Sequence, residues 1–171
     1  MEKKQKTVVL GVSAGISIYK SCDILRRLQD EGFSITVIMT RESRELIRPI
    51  VFESLSGEKV YCELFDSPGD WGIKHISLAK KADLLLIAPA TANIIAKIAS
   101  GICDDLLTCT VLATSSPVLI APAMNENMYN NKITQANIAR LKGLGFIFVG
   151  PEKGRLACGE IGNGCLAKTE E

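Results

Sequence analysis

The chain has 171 residues, about one domain's worth, and 47% of them are apolar against 23% charged, which excludes disorder as its main state. Twenty basic and 19 acidic residues leave a net charge of +1, so nothing in the overall charge draws it to nucleic acid or to an anionic membrane. Its longest apolar stretches run to about 8 residues, against roughly 20 for a membrane span, and the opening MEKKQK leads straight into a strand-like run without a signal-peptide pattern. The expectation is a single cytoplasmic domain over residues 1–171.

The first strand is Thr7–Val12, a valine-rich apolar run of the kind buried on both faces of a parallel sheet. A small-residue turn, Ser13–Ser17, leads into a helix with Ile18, Cys22, Leu25 and Leu28 on one stripe, stopped at Glu31-Gly32. Ser34–Met39 is the second strand and Thr40–Ser43 the turn after it. Pro49 starts a short helix that Gly57 closes, and Lys59–Tyr61 suggests a short edge strand. Asp66–Gly72 reads as a loop before Ile73–Leu78. Leu84–Ala88 is a further buried strand. After Pro89–Asn93 comes a helix that stops at Gly101, then a second helical stretch over Asp105–Ala113. Val118–Ala121 is a strand running into Pro122–Asn125, Asn131–Leu144 is helical, and Phe146–Val149 is the last strand. Lys153–Gly164 holds four glycines without periodicity and reads as a loop or flap.

Strand and helix thus alternate, which implies a parallel sheet with helices on both faces, a three-layer Rossmann-like (flavodoxin-like) α/β fold. Ligands of such sheets bind beyond the carboxyl ends of the strands. Ser13–Ser17, Pro89–Asn93 and Pro122–Asn125 all fall there. Small residues after a strand let backbone N–H groups approach an anion at a helix N-terminus, but the first turn has neither the dinucleotide fingerprint nor a Walker loop. Thr91 and Asn93 are either ligand-facing groups or helix caps, and Asn125 is either a carboxylate-binding amide or a cap. His75 is the lone histidine, either a general base or a satisfied side chain. The six cysteines include no C-x-x-C pair, so neither zinc nor a disulfide framework is expected, and no metal is assigned. Cys158, in the glycine-rich flap, either delivers a proton to a site or is a loop cysteine without a role.

Taken together, several segments resemble one family. SAGISIYK at Ser13–Lys20, the H-I-S-L context of His75, PATAN at Pro89–Asn93, KIASGICDDLLT from Lys97, PAMNENM at Pro122–Met128 and LACGEIGNG at Leu156–Gly164 stand in the order found in homo-oligomeric flavin-containing cysteine decarboxylases. The resemblance covers about residues 7–167. It departs at Thr91, where serine is more usual, at Tyr129 in place of tryptophan, and at Cys165 and Lys168 in place of arginine and glutamate.

The resemblance implies FMN as cofactor and 4′-phosphopantothenoylcysteine as substrate, decarboxylated to 4′-phosphopantetheine in coenzyme A biosynthesis. It assigns His75, Asn125 and Cys158 to catalysis: His75 beside the substrate carboxylate in the oxidative step, Asn125 binding that carboxylate, and Cys158 supplying the proton of the reductive step. It places Ala14, Gly15, Ile16, Thr40, Ser43, Thr91, Ala92, Asn93 and Ala123 around FMN, and Met124, Asn125, Arg155 and Ala157 against the substrate, with a flap over about residues 153–165. Implied partners are further copies of the chain, as a trimer or a dodecamer of trimers, and a phosphopantothenate–cysteine ligase domain or protein; neither nucleic acid nor membrane is a partner. The alternatives within similar families are a peptidyl-cysteine decarboxylase that releases the ene-thiol, a flavin prenyltransferase, and a flavin-binding regulatory subunit without catalysis. Joint presence of His75, Asn125 and Cys158 favours the small-molecule enzyme.

Overall fold

A computed structural model describes residues 5–65 and 73–171. Five parallel strands form the main sheet: β1 (Thr7–Val12), β2 (Ser34–Met39), β3 (Leu84–Ala90), β4 (Val118–Pro122) and β5 (Ile147–Phe148), in the order β2-β1-β3-β4-β5. The expected α/β architecture is therefore present, with the flavodoxin-like strand order. Alternation along the strands divides the core. Val8, Leu10 and Val12 point into one layer with Ile18, Leu25 and Phe52, which brings α1 (Lys20–Asp30) and α2 (Pro49–Ser56) onto that face. Val9, Leu85 and Ile87 point into the other, against α3 (Lys74–Lys81), α4 (Ala92–Ser100), α5 (Leu106–Ala113) and α7 (Lys132–Gly143).

Three elements differ from the sequence expectation. Lys59–Tyr61 is not a strand; Tyr61 alone bridges Ile38. A five-residue helix, α6 (Glu126–Asn130), precedes α7, because Asn125 and Asn131 each cap a new helix with a side-chain oxygen. The glycine-rich flap is an antiparallel hairpin, β6 (Glu152–Arg155) with β7 (Ile161–Cys165). The loop expected at Asp66–Gly72 lies outside the described residues. Among the described residues, no helix is long and apolar enough to cross a membrane.

Candidate active site

The strand order reverses between β1 and β3, so the chain leaves the two strands in opposite directions and opens a crevice at their carboxyl ends. A cleft of about 660 Å³ lies there, within the roughly 300–1,000 Å³ usual for small-molecule sites. Its floor is stitched together by Ser13, whose hydroxyl donates to the Pro89 carbonyl at 2.7 Å and accepts the Thr91 N–H at 3.1 Å. Thr91 in turn caps α4, its Oγ1 accepting the Ile94 N–H at 3.3 Å. Thr91 is thus both a cap and a wall of the cleft.

The hairpin forms the opposite wall. Its β7 strand docks on the segment after β4: Met124 N–H donates to the Gly164 carbonyl at 3.0 Å, and Asn163 N–H donates to Glu126 Oε1 at 2.9 Å. A side chain on Gly164 would run into the Met124 carbonyl oxygen, and one on Gly162 into the Glu126 carboxylate. These glycines are present because the hairpin backbone lies directly on its support. That docking carries Cys158, at the hairpin turn, to Asn125. The Asn125 amide nitrogen faces Cys158 Sγ at 3.9 Å, and the Cys158 thiol faces Glu160 Oε2 at 3.7 Å.

Of the residues picked out in the sequence, Ala14, Gly15, Ile16, Thr91, Ala92, Ala123, Met124, Asn125, Arg155, Ala157 and Cys158 line this cleft. Four do not. Thr40 and Ser43 are buried at the end of β2, where Ser43 Oγ donates to the Thr40 carbonyl at 2.7 Å and closes a 3-10 turn. Asn93 is exposed on the first turn of α4. His75 stands in the first turn of α3, in the layer on the far side of the sheet from α1. The cleft also takes in Ser17, Tyr19, Lys20 and Met128, which stand inside the motifs quoted from the sequence without a side-chain role of their own there. The helical spacing of Ser17 and Lys20, three residues apart just after the first turn, was the available signal.

The lining suits a flavin phosphate. Lys20 and Arg155 bring two cations to the cleft, and among the described residues its lining includes no carboxylate, with Glu160 standing behind Cys158 at 3.7 Å. Ser17 Oγ is buried there with no hydrogen-bond partner among the described residues, at the start of the helical segment that follows β1, where the peptide dipoles favour an anion. Ile16 and Tyr19, 65% and 60% exposed, offer apolar surface at the rim that a ring system can cover.

Comparison with known proteins agrees with this geometry. The whole chain, residues 1–171, matches the flavoprotein family. It is 46% identical over 159 residues to the coenzyme A biosynthesis bifunctional protein CoaBC of Vibrio vulnificus, which covers 93% of this chain and 40% of the relative. The chain therefore spans about two fifths of the length of that curated relative. Among solved structures, a PPC (phosphopantothenoylcysteine) decarboxylase mutant complexed with pantothenoylaminoethenethiol superposes with a TM-score of 0.84 at 32% identity, covering 98% of this chain and 93% of the other. The FMN-dependent cysteine decarboxylase SpaF superposes with a TM-score of 0.85 at 34% identity, covering 96% and 90%. The fold and cleft define a flavoprotein. More narrowly, the chain belongs to the flavin-containing PPC decarboxylase family.

Proposed function

We propose that this chain, as one flavin-binding domain, decarboxylates 4′-phosphopantothenoylcysteine to 4′-phosphopantetheine, with FMN as its flavin. The observation that carries the reading is the meeting of Asn125 and Cys158 across the hairpin, in a cleft lined by the two cations Lys20 and Arg155. Substrate and FMN each bring a phosphate, and this lining is built for anions. The CoaBC relative is named for coenzyme A biosynthesis, which supports the phosphorylated substrate over a peptide.

The chain's own groups divide the work. Asn125 Oδ1 is committed to the Asn127 N–H at 2.9 Å, which fixes the amide and aims its donors at the cleft, where they bind the substrate carboxylate. Ala14, Gly15, Ile16, Ser17, Thr91, Ala92 and Ala123 border the flavin, while Thr40, Ser43 and Asn93 act outside its direct lining. Met124 and Ala157 bound the substrate, and Lys20 and Arg155 meet phosphate. When bound, the flavin supplies the hydride acceptor and donor that carboxylate loss from an unactivated carbon requires. Cys158 holds the proton returned to carbon. His75, absent from the lining of its own chain's cleft, is assigned to the cleft of a second copy, in a trimer or a dodecamer of trimers. A phosphopantothenate–cysteine ligase, fused or separate, supplies the substrate.

The test is turnover of the FMN-loaded protein on two substrates, 4′-phosphopantothenoylcysteine and a peptide ending in cysteine. The reading expects 4′-phosphopantetheine from the first and no reaction with the second. An ene-thiol from the peptide and no product from the first would overturn it.

A further inference from the structure

Helix α4 ends at Gly101, and the chain turns through Ile102–Asp104 before α5 begins at its cap, Asp105. This corner is held firmly. Asp105 and Thr108 form a reciprocal capping box, with Thr108 N–H donating to Asp105 Oδ1 at 2.8 Å. Lys97 reaches across from α4 and donates to Asp104 Oδ1 at 2.8 Å and Asp105 Oδ2 at 3.2 Å. Cys103 lies on the loop so fixed and is exposed. Cys109, one turn into α5, is half-buried beneath it, and its thiol donates to the Cys103 carbonyl at 3.4 Å. The Cys109 sulfur thus lies directly against the backbone of Cys103 itself. The catalytic reading gives neither a role.

We propose that Cys103 and Cys109 form a reversible dithiol–disulfide site for hydroperoxides, separate from the cleft. The exposed Cys103 sulfur attacks the O–O bond of hydrogen peroxide, giving a sulfenic acid and releasing water, where an organic hydroperoxide would release its alcohol instead. Cys109 sulfur then attacks the Cys103 sulfur; the S–S bond forms as the S–O bond breaks, and the hydroxyl leaves with the Cys109 proton as a second water. Two thiols are oxidised and one peroxide is reduced. The order of attack follows from the surroundings. Burial, then Cys103 and the charges of Asp105 and Asp104, push the Cys109 thiol up to about 11, so it stays protonated while Cys103 meets the oxidant. Helix α4 separates the site from the cleft: Thr91 and Ala92 line the cleft at one end, and the nine residues of the helix span about 14 Å to the other. Oxidation here therefore leaves the flavin in place, whereas oxidation of Cys158 would strike the catalytic machinery.

Trypsin makes the test direct, because it releases Ile98–Lys132 carrying these two cysteines and no others. The flavin-loaded full chain is treated with one equivalent of hydrogen peroxide, alkylated without reductant and analysed by mass spectrometry. The expected peptide lacks two hydrogens, carries no alkyl group, and takes up two alkyl groups after dithiothreitol. In Cys109→Ala the same treatment is expected to leave Cys103 as a sulfenic acid that dimedone traps. A wild-type peptide with Cys109 alkylated and Cys103 as dimedone adduct or sulfinic acid would overturn the proposal, as would a disulfide from Cys103 to any other thiol.

Discussion

The two ends of the Asn125 amide are used differently: Oδ1 accepts the Asn127 N–H at 2.9 Å and caps α6, while Nδ2 faces Cys158 Sγ at 3.9 Å. Capping and ligand binding are therefore not alternatives at this residue. Asn125→Asp keeps the capping oxygen but removes the donors and adds a charge that repels a carboxylate. A hydrogen bond to a charged group is worth roughly 1.5–3 kcal/mol, so decarboxylation should fall by at least about tenfold to 150-fold. The flavin-to-protein ratio and the thermal midpoint should stay near wild type. Near-normal CO₂ release from this variant would remove Asn125 from its assigned role.

The hairpin owes its position to backbone contact at Gly164, where an added methyl would meet the Met124 carbonyl oxygen. Gly164→Ala should lift β7 off its support and carry Cys158 away from Asn125. The expected result is a folded, flavin-binding protein with faster proteolysis between Glu152 and Cys165 and a large loss of turnover. Unchanged turnover would show that the hairpin need not dock.

Lys97 ties the α4–α5 corner together, and its pKa is raised above the ordinary 10.5, first by its hydrogen bond to Asp104 and then by Asp105. A cation whose folded pKa is raised stabilises fully below the unfolded value and loses that contribution as pH rises through the folded one. The pair is partly exposed, so Lys97→Met should cost no more than about 1 kcal/mol in urea unfolding at pH 7. The gap between the two proteins should hold from neutral pH to the unfolded pKa and close above it. Asp105→Ala should cost about 0.5–2 kcal/mol through loss of the cap.

If His75 serves a cleft on a second chain, two inactive variants can repair one another. Co-expressed His75→Asn and Asn125→Asp chains should assemble with about a quarter of their sites intact, for random mixing around a ring. Activity in the mixed oligomer but in neither pure variant is the expected outcome. A silent mixture of proven mixed composition would place His75 elsewhere.

The main strands were legible because strands buried on both faces are continuous apolar runs, as in Thr7–Val12 and Leu84–Ala88. The hairpin was not, because its residues answer to contact rather than to burial periodicity: Gly162 and Gly164 stand where a side chain has no room. The five-residue α6 escaped notice because it is defined by its cap at Asn125 and buries no residue. In the cleft, the motif residues on the strand ends were found. Ser17 lay in the turn read as an anion site for its backbone and Lys20 in a quoted motif, but neither side chain had a role of its own, because the helix was read for its apolar stripe. Thr40 and Ser43 came from resemblance alone, His75 and Asn93 from side-chain chemistry as well, and none of the four lines the cleft of the single chain.

The proposed decarboxylation is redox-neutral, and its two halves depend on different side chains. It is tested most directly by mixing FMN-loaded Cys158→Ser anaerobically with 4′-phosphopantothenoylcysteine while following visible absorbance and CO₂. A serine hydroxyl is a far weaker acid than a thiol of ordinary pKa about 8.5, so the proton for the second half is missing while the first half is intact. One equivalent of CO₂, lasting loss of the yellow colour and no 4′-phosphopantetheine are expected, whereas His75→Asn should stay yellow and release no CO₂. Formation of 4′-phosphopantetheine by Cys158→Ser at the wild-type rate would contradict it.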